Sequence, residues 1–169
     1  MAKLAVGIGL AAAQAAPAPL PRTGEADVRE GGGGVPCFTI AERDERRDGA
    51  PSFQAISVVD VARKPRTTMW AMAMPADRTF PLMFSMCIPY AGRVAALPQE
   101  EAEALAPDTV YEVAIAVRGG SGKLPAAYVR RFCLARQADG TRAVRLLGAA
   151  ATACAGAAPR ALKKPGQRS

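Results

Sequence analysis

Leu105-Ala-Pro-Asp-Thr-Val-Tyr-Glu-Val113 is the most informative stretch of this chain. It leads into the segment from Val110 to Arg118, where side chains alternate with a period of two. This alternation predicts a half-buried strand. The residues before it, Leu97 to Leu105, have Pro98 near their start and Pro107 just beyond their end, which predicts a short helix. A helix that leads into a strand beginning near a Tyr predicts a corner between two sheets.

The corner has a recognisable spacing. Leu105, Pro107, Thr109, Tyr111 and Val113 resemble the Leu-x-Pro-x-Thr-x-Tyr-x-Val pattern at a corner of fibronectin type III and related immunoglobulin-like domains. The resemblance implies a structural corner at Leu105, Pro107 and Tyr111, in which the buried Tyr111 hydroxyl bonds to the backbone a few residues upstream. The alternative is an ordinary loop before an ordinary strand. The nine matched residues bear on the fold and not on function.

Length and composition favour one all-β domain. The chain has 169 residues, which is enough for one domain with a substantial core. Fourteen Pro and sixteen Gly, with many short apolar runs, favour strands over a helical bundle. We therefore expect a single immunoglobulin-like antiparallel β-sandwich of about seven strands with one short helix. The expected strands are residues 37–40, 53–61, 69–74, 80–88, 110–118, 127–137 and 141–147, and the charged run at 42–48 is expected to be a loop.

The two ends of the chain have compositions typical of export and of flexible tails. Lys3, the apolar run from Leu4 to Ala13 and the small-x-small site Ala13-Gln14-Ala15 predict a signal peptide at residues 1–15. The alternative is an Ala-rich tail on a cytosolic protein. Residues 16–34 are rich in Pro, Gly and acidic residues and are expected to be a flexible linker. The sandwich domain would occupy 35–155 and a basic flexible tail 156–169. We expect a periplasmic or secreted protein with no transmembrane segment.

The cysteines point to disulfides rather than to a metal. Four Cys without any His or C-x-x-C pair argue against a zinc site, and an even number in an exported domain predicts two disulfides. Three pairings are possible. We expect Cys37 with Cys87, which lies on a strand whose apolar face is already occupied. We also expect Cys133 with Cys154, because Cys154 otherwise leaves an Ala-rich tail unanchored.

Basic charge is concentrated after residue 60. Residues 1–60 hold six Lys or Arg and eight Asp or Glu, whereas residues 61–169 hold sixteen and seven. The candidate partner-binding residues form two clusters, which are Arg130 with Arg131 as the first choice and Arg63, Lys64 and Arg66 as the second. Arg suits paired contacts with carboxylates, and Arg130 and Arg131 are expected on an exposed strand. The alternative is that these charges only keep the protein in solution.

The sequence does not predict an enzyme, and we expect no cofactor and no metal. With no His and few scattered Ser, no nucleophile and base can be paired. The Gly119-Gly-Ser-Gly-Lys123 loop lacks the spacing of a phosphate-binding motif. Aromatic residues are too scarce for a single-stranded nucleic acid partner. A protein partner is the remaining expectation.

A second, looser resemblance covers most of the chain. Cys37-Phe-Thr-Ile40, Cys87-Ile-Pro-Tyr90 and Tyr111-Glu-Val113, after a signal sequence, resemble elements of small periplasmic type VI secretion immunity proteins. The resemblance implies a protein that binds and neutralises a toxic effector delivered into the periplasm. Those proteins usually carry a lipid-attachment Cys directly after the signal, whereas the first Cys here is Cys37, so we expect no lipid anchor. The competing expectation is a structural or adhesive immunoglobulin-like module of the cell envelope.

Overall fold

The computed structural model describes residues 22–93, 97–118 and 124–154 and shows an all-β protein, as the composition predicts. The strands are β1 (Thr23–Glu30), β2 (Pro36–Ile40), β3 (Ser52–Asp60), β4 (Thr67–Ala73), β5 (Phe80–Pro81), β6 (Ile88–Pro89), β7 (Tyr111–Arg118), β8 (Ala127–Arg136) and β9 (Arg142–Leu147). Helix α1 spans Glu42–Asp48, and a 3₁₀ turn spans Gly32–Gly34. The expected signal peptide and basic tail lie outside the described residues, as do residues 119–123.

The strands form one curled, mixed sheet. Its order is β4-β3-β7-β8-β1-β2-β6, with β5 also paired to β3 and β9 to β8. β1 pairs in parallel with β8 and antiparallel with β2. The expected antiparallel sandwich of seven strands therefore differs from the structure, because β1 joins the two halves into one sheet that closes into a half-barrel.

The core fills the inside of this half-barrel. Phe38 on β2 stacks on Trp70 on β4 with ring centroids 6.4 Å apart, so the two ends of the sheet face each other. Met69, Trp70 and Met72 are all buried. These three side chains of β4 therefore belong to the core. Each large apolar side chain buried here stabilises the fold by about 1.5–3 kcal/mol.

Both predicted disulfides are confirmed. Cys37 bonds to Cys87 with a Cα–Cα distance of 5.4 Å, and Cys133 bonds to Cys154 with a distance of 5.8 Å. The second bond fastens residues 148–154 over β8, where the buried Cys133 packs with Val110 and Leu147. Two disulfides are typical of proteins from oxidising compartments.

The prediction of a flexible linker at 16–34 is wrong for the part that the structure describes. β1 occupies most of this part, and its Ala26 and Val28 are buried in the core. The Tyr128 ring lies against Gly24, where no side chain would fit. Partners on both sides, β2 and β8, order a segment whose composition alone favours disorder.

The helix and the charged loop were predicted in the wrong places. Residues 42–48 form α1, in which Arg46 pairs with Glu42 and Arg47 with Asp44 at helical spacing. The segment 97–105, predicted as a helix, is instead extended beside β4, where Glu100 N donates to Ala71 O at 2.9 Å. Backbone pairing with the exposed edge of β4 outweighs the weak helical preference of such a short segment.

Strand 80–88 was predicted as one element and is two. β5 and β6 contain two residues each, and the chain between them is irregular. No helix in the described part of the chain is long or apolar enough to cross a bilayer.

Candidate functional site

The Tyr111 corner forms at the place that the sequence predicts. The Tyr111 hydroxyl accepts a hydrogen bond from Ala106 N at 2.8 Å and lies 3.4 Å from Ala106 O. Tyr111 and Leu105 are buried, and Pro107 is half-buried with its carbonyl 3.4 Å from the Thr109 hydroxyl. Burial raises the pKa of Tyr111. The corner is structural and fixes where β7 begins.

The turn from Arg63 to Arg66, here called the basic turn, connects β3 to β4 and is exposed. Asp60 holds its start, because one carboxylate oxygen accepts from Ala62 N at 2.9 Å and from Arg63 N at 3.3 Å. The Arg63 guanidinium lies 3.1 Å from the other oxygen of this buried Asp60. Three cations, Arg63, Lys64 and Arg66, are therefore presented to solvent on an anchored turn.

Arg130 and Arg131 do not lie on an exposed strand, so that part of the prediction is wrong. β8 is paired on both edges, with β7 on one side and with β1 and β9 on the other. The Arg131 side chain is 15% exposed; its Nε donates to Glu112 Oε2 at 3.0 Å and its Nη1 to Ala151 O at 2.9 Å. The Arg130 side chain is 25% exposed and pairs with Glu25. The basic turn is thus the more accessible of the two predicted clusters.

Glu112 connects the two predicted clusters. Arg66 lies 3.4 Å from Glu112 Oε1, on the side opposite Arg131. We call Arg66, Glu112 and Arg131 the Glu112 cluster. Glu112 is not among the residues predicted from the sequence, although it lies on the predicted strand 110–118 among apolar neighbours. Its partner is set by the β7–β8 register, in which Glu112 is opposite Arg131.

The Glu112 cluster borders a flat face of small side chains. Glu112, Ala114 and Ala116 share the outer face of β7, while Val113 and Ile115 between them are buried. A shallow groove of about 470 Å³ crosses this face. Its alanines are Ala55, Ala71, Ala73, Ala114, Ala116 and Ala127. Short side chains leave the sheet accessible to a flat partner surface.

A second charged feature lies where β1 and β9 separate along the edge of β8. β1 pairs with residues 127–129 of β8, and β9 pairs with residues 131–136. Beside Arg130 a cleft of about 570 Å³ opens, here called the fork cleft. The charged residues that line it are Arg22, Arg43, Arg47, Arg130, Arg131, Glu25, Asp44 and Glu112.

Two carboxylates in and beside the fork cleft, Glu25 and Asp48, are each shared between two arginines. Both oxygens of Glu25 are taken, one by Arg43 and one by Arg130. Asp48, next to the cleft, pairs with Arg47 at 2.9 Å and Arg22 at 2.7 Å. The hydrogen bond from Arg47, with the charge of Arg22, lowers the pKa of Asp48. Cations therefore outnumber anions in the lining.

The charges of the fork cleft come from four separate parts of the chain. β1 supplies Glu25, α1 supplies Arg43 and Arg47, β7 supplies Glu112, and β8 supplies Arg130. Of these charged residues only Arg130 and Arg131 were predicted from the sequence, because β1 was expected to be a linker and α1 a solvated loop. The helical spacing of Glu42 and Arg46 was the available signal for α1.

In the described ranges, no group of three or more His, Cys, Asp or Glu is placed to hold a metal ion. Comparisons with protein-family models, with curated proteins and with solved structures find no match for this chain. The resemblances drawn from the sequence therefore stay predictions, and the function is inferred from the geometry above.

Proposed function

We propose that this protein binds one protein partner stoichiometrically, outside the cytoplasm, and that it neutralises a toxic effector in this way. The observation that carries the proposal is the basic turn, where Arg63, Lys64 and Arg66 are exposed on a turn anchored by Asp60. Arginine forms bidentate, partly desolvated contacts with carboxylates and is frequent among the residues that dominate interfaces. The partner surface is expected to be acidic.

The rest of the binding surface adjoins this turn. Arg66 connects the turn to the Glu112 cluster, and the alanine-lined face of β7 continues from Glu112. Rigid surfaces bind with a smaller entropic cost, and here two disulfides and a paired sheet hold the backbone.

Placement in the periplasm or outside the cell belongs to the same proposal. The two disulfides support it, because such bonds persist in oxidising compartments.

Capture of the partner from secreted and periplasmic fractions of the producing organism tests the proposal. The wild type is compared with the double variant Arg63→Glu/Arg66→Glu and with the control Arg136→Glu. Arg136 is exposed and ion-paired like the turn residues, but it lies at the far end of β8 and pairs with Asp108. Wild type and control should retain the partner, and the turn variant should lose affinity by about tenfold or more.

Calorimetry and a growth assay then distinguish a toxic effector from other kinds of partner. Purified partner should bind at a ratio of one to one in calorimetry, and its expression in a periplasm should stop growth unless this protein is present. Capture that the turn variant retains in full would contradict the proposed surface. A non-toxic envelope component as partner would favour the adhesive module instead. If the captured material is nucleic acid that about 0.5 M salt releases, the proposal of a protein partner is wrong.

A further inference from the structure

The fork cleft has the size and the lining of a binding site for a small anion. Its volume of about 570 Å³ falls within the range of about 300–1,000 Å³ that is usual for small-molecule sites. Five arginines and three carboxylates line it. None of Arg63, Lys64 and Arg66 is among its lining residues, and the cleft meets the basic turn only through Glu112, which lines the cleft and pairs with Arg66.

Hydrogen-bond donors in the cleft exceed acceptors. Each guanidinium carries five N–H donors, whereas Glu25 serves two guanidinium groups with one carboxylate. The Nε of Arg130 is buried and has no acceptor among the described residues. A buried donor without an acceptor costs free energy, and an incoming oxygen atom would remove that cost.

The cleft is also partly preorganised. Asp44 is buried and accepts hydrogen bonds from Glu25 N at 2.7 Å and from Arg47 at 2.8 Å, which ties α1 to β1. Arg43, by contrast, has a side chain that is 72% exposed, so it can turn from Glu25 to a ligand without disturbing the core. Arg130 is held more firmly in β8.

We propose that the fork cleft binds a small oxyanion with at least two negative charges, such as a phosphate ester or a polycarboxylate. Arg130 and Arg43 bind its oxygen atoms, in the bidentate geometry that guanidinium groups form with carboxylate and phosphate. Glu25 occupies the same two arginines in the absence of ligand. It therefore acts as an internal competitor.

Because Glu25 competes with the ligand, substituting Glu25 and substituting the arginines should change the anion affinity in opposite directions. Arg130→Gln and Arg43→Gln should each weaken binding by about tenfold, which corresponds to one lost charge-assisted hydrogen bond. Glu25→Gln should strengthen binding by a similar factor, because it removes the negative charge that competes with the ligand for both guanidinium groups. A variant that has merely lost its fold cannot bind more tightly, so Glu25→Gln separates a binding effect from a folding effect.

Calorimetric titrations of the whole chain with pyrophosphate and with citrate give the measurement, in about 0.05 M NaCl so that screening stays low. Arg136→Gln is the matched control and should bind like the wild type. Tighter binding of pyrophosphate indicates phosphate as the natural chemistry, and tighter binding of citrate indicates carboxylate. The Arg63→Glu variant, whose ion-pair partners Asp60 and Glu103 do not line the cleft, should keep its anion affinity, so this site can fail or stand independently of the basic turn.

Three results would overturn the proposal. One is the absence of saturable binding of either anion by the wild type. Another is an equal loss of anion affinity in the Arg130→Gln and Arg136→Gln variants, which would mean that binding depends only on the overall charge of the protein. The third is weaker or unchanged binding in Glu25→Gln with its native circular dichroism intact, which would mean that the cleft is a self-contained ion-pair network.

Discussion

Replacing Tyr111 by Phe removes a single oxygen atom and leaves the buried ring in place. The hydroxyl accepts from Ala106 N at 2.8 Å, and its second contact, to Ala106 O, is long at 3.4 Å. One backbone hydrogen bond of this kind contributes about 1 kcal/mol. Ala106 is exposed, so water can take over its freed N–H and no further penalty applies. The Tyr111→Phe variant should therefore lose about 1 kcal/mol of unfolding free energy.

Tyr128 provides the matched control. It is as buried as Tyr111, but its hydroxyl has no hydrogen-bond partner among the described residues. Removing a buried, unpaired hydroxyl removes a desolvation cost. The Tyr128→Phe variant should therefore be as stable as the wild type or more stable.

Urea unfolding, followed by the fluorescence of the single Trp70 and by circular dichroism, measures both variants. With a denaturant dependence of about 1–3 kcal/mol per molar urea, a loss of 1 kcal/mol lowers the midpoint by about 0.3–1 M. An unchanged midpoint for Tyr111→Phe would show that the corner hydrogen bond does not stabilise β7. An equal decrease in Tyr128→Phe would show that the ring and not the hydrogen bond matters.

Three further predictions concern packing, crosslinking and pH. Gly24→Ala places a Cβ 2.5 Å from the Tyr128 ring and should lower the thermal midpoint by the equivalent of about 1–3 kcal/mol. In the control Gly32→Ala the new Cβ meets open space, so the midpoint should not fall. Equal effects of the two substitutions would refute the packing explanation. Replacing Cys133 and Cys154 together by Ala should cost about 3 kcal/mol in the chain-entropy model, given their separation of 21 residues, and a denaturation midpoint like that of the wild type would contradict it. Burial raises the pKa of all three tyrosines, so the stability they contribute is complete below their unfolded pKa of about 10 and is lost as the pH rises through their higher folded values. Tyrosinate absorbance should consequently appear together with unfolding, and its appearance in the native protein near pH 10 would contradict this.

The parts of the fold that local sequence predicted are those with a strong pattern. β3 and β7 have an alternation of buried and more exposed side chains, and their bounds agree with the prediction to within about two residues, the usual uncertainty of strand ends. The Tyr111 corner spans only a few residues, so its contacts are local and could also be predicted. The site was harder to predict because its contacts join distant residues. Arg131 was a candidate from composition alone. Its ion pair with Glu112 follows from the sheet register, and its hydrogen bond to Ala151 O follows from the disulfide that holds residues 148–154.

By itself the sequence determined the all-β class and the Tyr111 corner, whereas it left three cysteine pairings possible and favoured the one that formed. Period-two patterns, residue types and short-range spacing are intrinsic to the chain, and they do not depend on which strands become neighbours. Only the tertiary structure decided that residues 23–30 form a strand, because Ala26 and Val28 bury too little surface until residues 23–25 pair with β8 and residues 26–30 pair with β2. It also decided that Glu25 joins Arg43 and Arg130, and that Glu112 joins Arg66 and Arg131. Ion pairs between residues so far apart in sequence exist only after the sheet has curled and set its register, so no local pattern specifies them.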